Sequence, residues 1–362
     1  MKQGYRRYLV GKYLVGKYLA GTHFSGTDWR HGVCAAMIMC LIGISGALRA
    51  DDIEHYHPFK VYDAQFYVES NLEFTLLHEL AHAVIDHHQI PVLGGQEQAA
   101  DQIAVMLLIL MHDGLDPQLL DRLLAVSADW MIQWQMDLKN QNTVFWDVHP
   151  LPIQRFYEVT CLAYGSNPDV LESLRKDSWL PIERAWDCDL EFKENQQALA
   201  WLATKVSHYQ FDPEWKLKRV SAASDSEGQV NIHWTNRTKG EQPALYQSLK
   251  NSTRLKRLLA SINDVLKLKN DIPVYIETMC AGPDAWWNSK QNIVIICYEL
   301  LEQFADNSTR VSSLIDEMKT VSARNLIVPL TAQEAAFIND RDDRYSEITR
   351  LIKSWLKQKL AE

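Results

Sequence analysis

An α+β fold, mainly α, is what this sequence predicts, and three observations predict it. Apolar residues recur at the helical spacing of three and four in one segment after another between residues 70 and 210. Only two short runs, 272–276 and 293–296, are dense enough in β-branched residues to read as buried strands. The bulk composition, 362 residues with 47% apolar and 23% charged, is that of a globular protein able to fill a core. A net charge of −9 argues against nucleic acid as a partner and leaves no polybasic signal for a membrane surface.

Residues 1–29 form a low-complexity extension. Tyr8-Leu-Val-Gly-Lys, Tyr13-Leu-Val-Gly-Lys, Tyr18-Leu-Ala-Gly-Thr and His23-Phe-Ser-Gly-Thr repeat in a unit too short for a solenoid, so disorder is expected there. Residues 30–50 read as a signal peptide. Arg30-His31 precedes the apolar stretch 32–48, and Ala47-Leu-Arg-Ala50 offers small residues before a cut after Ala50. The rival is an uncleaved membrane anchor, although about 17 apolar residues is the short limit for a span. The expectation is an exported bacterial protein, periplasmic or secreted, with no stable anchor once the signal is removed.

Residues 51–212 make the expected helical domain. Its polar lead-in holds His55 and His57, read as surface groups. Ser70-x-x-Glu73 is a capping box that opens a helix, Phe74, Leu77, Ala81 and Val84 give it a core stripe, and Pro91 ends it. His87 and His88, at its end, are expected in solvent. A second helix starts near Gly95 and runs to about His112, and a third spans 117–139 with Trp130 and Trp134 one turn apart, able to line a substrate cleft but read first as core. Asn167-Pro168 closes a further helix, and 187–209 reads as another. Residues 213–245 are polar and are expected to be a linker or variable loops with a short strand at 230–234. Residues 246–306 follow as a small α/β segment. It has an amphipathic helix over 249–269 and two strands joined by the turn around Gly282-Pro283-Asp284. A helical tail, 307–362, has a second capping box at Thr331–Glu334 and places Trp355 and Leu356 against the body.

The chemistry centres on His78-Glu79-x-x-His82. Residues four apart on a helix share a face, so the two imidazoles can grip one metal ion, usually zinc. Glu79, beside the first ligand, can take a proton from a water attacking a carbonyl. Glu97 and Asp101 are also four apart, at the start of the next helix. Glu97 reads as the third ligand and Asp101 as the acceptor for the free ring N–H of a ligand histidine. The reverse assignment, Asp101 on the metal and Glu97 behind it, is the alternative. Downstream, His149, Arg155 and Tyr157 can each donate a hydrogen bond to a developing oxyanion. His149 is the first choice, oriented by Asp147, while Arg155 and Tyr157 also suit a purely structural role. The four cysteines outside the signal, Cys161, Cys188, Cys280 and Cys297, permit three pairings. Pairing within each segment, Cys161–Cys188 and Cys280–Cys297, is expected, in an oxidising compartment.

These motifs resemble a known family. His78-Glu-Leu-Ala-His82, Ile90-Pro-Val-Leu-Gly94 and Glu97-Gln-Ala-Ala-Asp101 are similar to the zinc region of a bacterial metallopeptidase family, domain of unknown function 4344, which is gluzincin-like. Trp146-Asp-Val-His149, Gln154-Arg-Phe-Tyr157, Cys161 to Pro168, Leu180-Pro-x-x-Arg184 with Cys188, Cys280 with Ala285-Trp-Trp, and Ile296-Cys-Tyr-Glu-Leu300 extend the resemblance over about Asn71 to Phe304. Two features depart from the family pattern: the Cys-Tyr-Glu segment follows the zinc helix instead of preceding it, and position 152 is Pro where an Asp is expected. The resemblance implies a zincin-like core with a small β-sheet packed beside the zinc-binding helices. It implies one Zn2+ per chain, a peptide or protein substrate, and an edge strand that pairs with that substrate. Glu299, near a strand end, is then a further site candidate. Two other functions share these residues: a non-catalytic peptide- or protein-binding protein with structural zinc, and a zinc amidase acting on cell-wall material. Glu79 argues against the first, because a structural site needs no base and usually has four closed protein ligands.

Overall fold

The computed structural model describes residues 59–324 apart from 112–116, 142, 177–178, 213–216, 222–227, 236–243 and 279. The repeats, the signal peptide, His55, His57, the Thr331 capping box, Trp355 and Leu356 lie outside the described residues. The chain divides into two units, Met1–Ile53 and Glu54–Glu362, and the described residues all belong to the second.

The axis of this unit is helix α1, Ala64–His87, whose residues from Tyr67 to Ile85 are nearly all buried. A helix buried on every side has no solvent face to spare, so other elements must surround it. It starts earlier than the capping box at Ser70 suggests. The side chain of Asp63 accepts from the backbone N–H groups of Gln65 and Phe66 and caps the helix about two turns upstream. Ser70 is then interior, its hydroxyl donating to the Phe66 carbonyl at 2.7 Å. Glu73 is a buried anchor held by Arg254 and, at 3.5 Å, by Arg122.

Helices α2 (Gln96–Met111), α3 (Pro117–Asn140) and α4 (Pro152–Ser166) follow, with α1 packed against α2 and α3, and α4 against α3. Two short helices, α5 (Glu172–Lys176) and α6 (Ile182–Ala185), lead to α7 (Cys188–Val206), which crosses α4. Disulfide Cys161–Cys188 joins α4 to α7. Gly165 permits the contact: a Cβ there would stand 2.1 Å from the Cys188 carbonyl oxygen.

Strands β1 (Tyr209–Phe211) and β2 (Leu217–Arg219) pair as a small hairpin. Strand β3 (Val230–Trp234), from the stretch read as variable loops, joins the main sheet parallel to β4 (Ile272–Glu277). Between them the expected single helix over 249–269 is two, α8 (Ala244–Asn251) and α9 (Thr253–Val265). Ser252 breaks the run because its hydroxyl accepts from the Leu255 N–H and caps α9. The two predicted strands exist but are not joined as neighbours in a hairpin. β4 and β6 (Ile293–Cys297) are parallel, and the connection between them carries β5 (Ala285–Asn288), antiparallel to β6 at the sheet edge. The order is β3-β4-β6-β5. Disulfide Cys280–Cys297 ties that connection to the end of β6. Helices α10 (Tyr298–Ser308) and α11 (Val311–Arg324) complete the described chain. Among the described residues no helix is long and apolar enough to cross a membrane.

The sheet docks on the end of α1 through residues expected in solvent. His87 bonds Asn292 and meets the Trp287 ring edge-on, and His88 Nε2 lies 3.1 Å from the Lys267 carbonyl. Both are half-buried, His87 under the edge strand and His88 against the segment that leads into β4.

Asp129 ties three helices together. Its Oδ1 accepts from the Tyr67 hydroxyl on α1 at 2.9 Å and from the Asn307 amide on α10 at 3.0 Å. Burial pushes its pKa up to about 6, against an ordinary value of 3.8. The folded state therefore holds this proton more tightly than the unfolded chain. The stability this gives is complete below about pH 4 and is lost as pH rises through about 6. Replacing Asp129 by Asn keeps the Oδ1 acceptor and removes the charge. The stability of the variant relative to the wild type should rise by about 3 kcal/mol between pH 4 and 7, by denaturant titration. Parallel pH profiles for the two proteins would refute this.

Candidate active site

His78 and His82 lie one turn apart on α1, and Glu97 is the second residue of α2, which packs beside them. Their donor atoms converge. His78 Nε2 and His82 Nε2 are 3.2 Å apart, and Glu97 Oε2 lies 3.3 Å from the first and 3.2 Å from the second. Donors around a tetrahedral cation with bonds of about 2.0–2.1 Å stand about 3.3 Å from one another. The three atoms thus have the spacing of three corners of one coordination tetrahedron, and two nitrogens with one carboxylate oxygen suit a divalent ion.

Asp101, one turn further along α2, is 2% exposed and accepts from His78 Nδ1 at 2.7 Å, which turns Nε2 of that ring toward the cluster. Arg155 on α4 donates to Asp101 Oδ2 from Nε at 2.7 Å and to Oδ1 from Nη2 at 2.5 Å. Its guanidinium lies 3.6 Å from the Trp130 ring centre. Burial opposes ionisation of Asp101, but the Arg155 charge and the His78 hydrogen bond hold its pKa below the usual value. Burial likewise disfavours a charged His78, yet Asp101 and Glu97 outweigh it and raise its pKa. Glu97 is held far below the carboxylate range, since hydrogen bonds from His149, His78 and His82 overcome its burial.

Glu79 faces a cleft from between the two histidines. Burial raises its pKa, partly countered by His78 and His82, and the Trp287 backbone N–H donates to its carboxylate. His149 stands on the loop before α4. Its Nε2 is 3.2 Å from Glu97 Oε2 and its Nδ1 is 2.8 Å from Asp147 Oδ1. The bond to Glu97, opposed by burial and aided by Asp147, raises its pKa to about 9. The same loop exposes Phe145, Trp146 and Val148.

Two cavities meet at Glu79. One, of about 470 Å3, is bounded by His82, Glu97, His149 and edge strand β5 at Ala285 to Trp287. The other, of about 230 Å3, shares Glu79, His149, Asp284 and Ala285 and runs past His78 to Trp130. A third cavity, between α1, α2 and α7, is almost wholly hydrocarbon and offers no reactive group.

The structure brings His78, Glu79, His82, Glu97, Asp101, Asp147, His149 and Arg155 together. Tyr157 packs on the core and lines neither cavity at Glu79. Glu299 neighbours Cys280 and Cys297, whose sulfurs are bonded to each other, and also lies outside both cavities. Trp130 lines the smaller cavity, the role weighed second to core packing, and Asp284, read as part of a turn, lines the larger together with Ala285 to Trp287.

The family comparison now bears on this cluster. A family model described as "Putative metallopeptidase" matches residues 34–203 and 234–331, most of the chain. The chain belongs to this family. The chain is accordingly a hydrolase of peptidase type with a metal cofactor, and His78, His82 and Glu97 fit such a metal. Neither the curated proteins nor the solved structures contain a match to the chain.

Proposed function

We propose that this metallopeptidase is a zinc-dependent, gluzincin-like enzyme that hydrolyses peptide bonds. The observation that carries the reading is the tetrahedral spacing of His78 Nε2, His82 Nε2 and Glu97 Oε2 with Glu79 facing the adjoining cleft. Zinc bound there supplies Lewis-acid polarisation of the scissile carbonyl and of the attacking water. Glu79 takes the proton from that water and passes it to the leaving amine, a task suited to a carboxylate whose pKa burial has raised. His149, oriented by the bond between its Nδ1 and Asp147, presents Nε2 beside the cluster, where it would donate to the carbonyl oxygen as charge develops on it. Asp101, backed by Arg155, holds His78 in its ligand orientation. Strand β5, the sheet edge beside the cleft among the described residues, offers its backbone to an extended substrate. The two disulfides fit an exported, periplasmic or secreted protein.

The test is metal dependence. Dialysis of the full chain against a chelator should abolish cleavage of a mixed peptide library, and one equivalent of zinc should restore it. Mass spectrometry should show new amino termini inside the peptides. Cleavage that survives complete removal of metal would refute the zinc mechanism.

A further inference from the structure

The smaller cavity beside Glu79 contains a charge that the hydrolytic mechanism does not use. Asp129 is 5% exposed and lines this cavity of about 230 Å3. Its Oδ1 is occupied by Tyr67 and Asn307, both neutral donors. Among the described residues none donates to Oδ2, and no lysine, arginine or histidine pairs with the carboxylate. Burying a carboxylate without a cation is costly, and an amide would hold Tyr67 and Asn307 as well. The charge therefore points to a partner from outside the chain.

The rest of the cavity has the character that partner needs. Phe74, Trp130, Leu300 and Phe304 give it apolar walls, interleaved with the amides of Gln133 and Gln303. Arg155 also lines it, but both of its assigned donors are spent on Asp101, so its charge offsets that carboxylate and leaves Asp129 uncompensated. His78 and His149 also line it, and each is engaged by Glu97. The mouth is shared with the main cleft through Glu79, Asp284 and Ala285, so a side chain entering the cavity belongs to a residue next to the scissile bond.

We infer that this cavity is a side-chain pocket with Asp129 at its charged end, and that it selects lysine or arginine beside the bond that is cut. The methylene stem packs between the aromatic walls, and the cationic head reaches Oδ2. This inference rests on the peptidase reading and adds a substrate class to it.

The zinc-loaded full chain is given matched peptides carrying lysine, arginine, norleucine or citrulline at each position flanking the cut. The wild type should favour the basic residues at one flanking position by roughly tenfold or more in kcat/KM, the size of one charge-assisted hydrogen bond. In D129N the ratio of basic to neutral substrates should fall close to one, with a circular-dichroism melt confirming the fold. Cleavage without a basic preference, or a preference kept in D129N, overturns the pocket assignment and leaves the peptidase reading standing. Should no peptide be cut, the peptidase reading falls, and calorimetry with argininamide decides on the pocket alone. Binding to the wild type that D129N abolishes sustains it, and no binding overturns it.

Discussion

Replacing Glu79 by glutamine is expected to lower kcat by about 10²–10⁴-fold while leaving the metal in place. That factor corresponds to roughly 3–5 kcal/mol of barrier, the contribution of one positioned proton acceptor. Glutamine has the same shape, and its amide oxygen can still accept from the Trp287 N–H that meets Glu79. It cannot take a proton from water. Glu79 contributes none of the three converging donor atoms, so zinc content measured by atomic absorption should match the wild type. Because burial disfavours the charged carboxyl, the variant should melt no lower than the wild type. Wild-type turnover by E79Q would remove Glu79 from the mechanism. A loss of zinc together with activity would place Glu79 in the ligand set and undo the role assigned to Glu97.

The converging donors were legible in the sequence because helical geometry is local. Four residues make one turn, so His78 and His82 had to share a face, and Glu97 and Asp101 had to share another. A short connection then left little freedom in how those faces meet. Within a helix, the same local rule misled at Ser70: its spacing to Glu73 imitates a capping box, but a cap works only where the chain is not yet helical, and Asp63 takes that place. The sheet was harder to read because strand pairing is not local. The β-branched runs at β4 and β6 announce strands without saying that they lie parallel, or that Ala285–Asn288 returns along β6 as an edge. That edge is what covers His87 and brings the Trp287 N–H to Glu79. Asp129 gave no signal, since its partners Tyr67 and Asn307 are far from it in sequence. Arg155 was recognised as a donor, but its acceptor proved to be Asp101.

Arg155→Met should therefore behave as a support variant and not as a loss of chemistry. Methionine fills the space of the arginine stem but removes the guanidinium bonded to Asp101. Asp101 is 2% exposed, so the remaining carboxylate has no solvent to compensate it. Breaking a buried pair from one side costs about 3–5 kcal/mol, and the denaturation midpoint should fall accordingly. Among the described residues the His78 ring is the other hydrogen-bond partner of Asp101, so the uncompensated charge acts through it. It favours an imidazolium, and a proton on that ring competes with the metal. Zinc affinity, measured by competition with a chromophoric chelator, should drop by about 10–100-fold and recover in part as pH rises. Arg155→Lys should restore little, because an ammonium cannot donate in the paired manner of a guanidinium. With zinc at saturating concentration, kcat of R155M should return close to that of the wild type. If Arg155 instead served the oxyanion directly, kcat would stay low at saturating zinc while melting and zinc affinity remained unchanged. That pattern would transfer to Arg155 the role assigned here to His149.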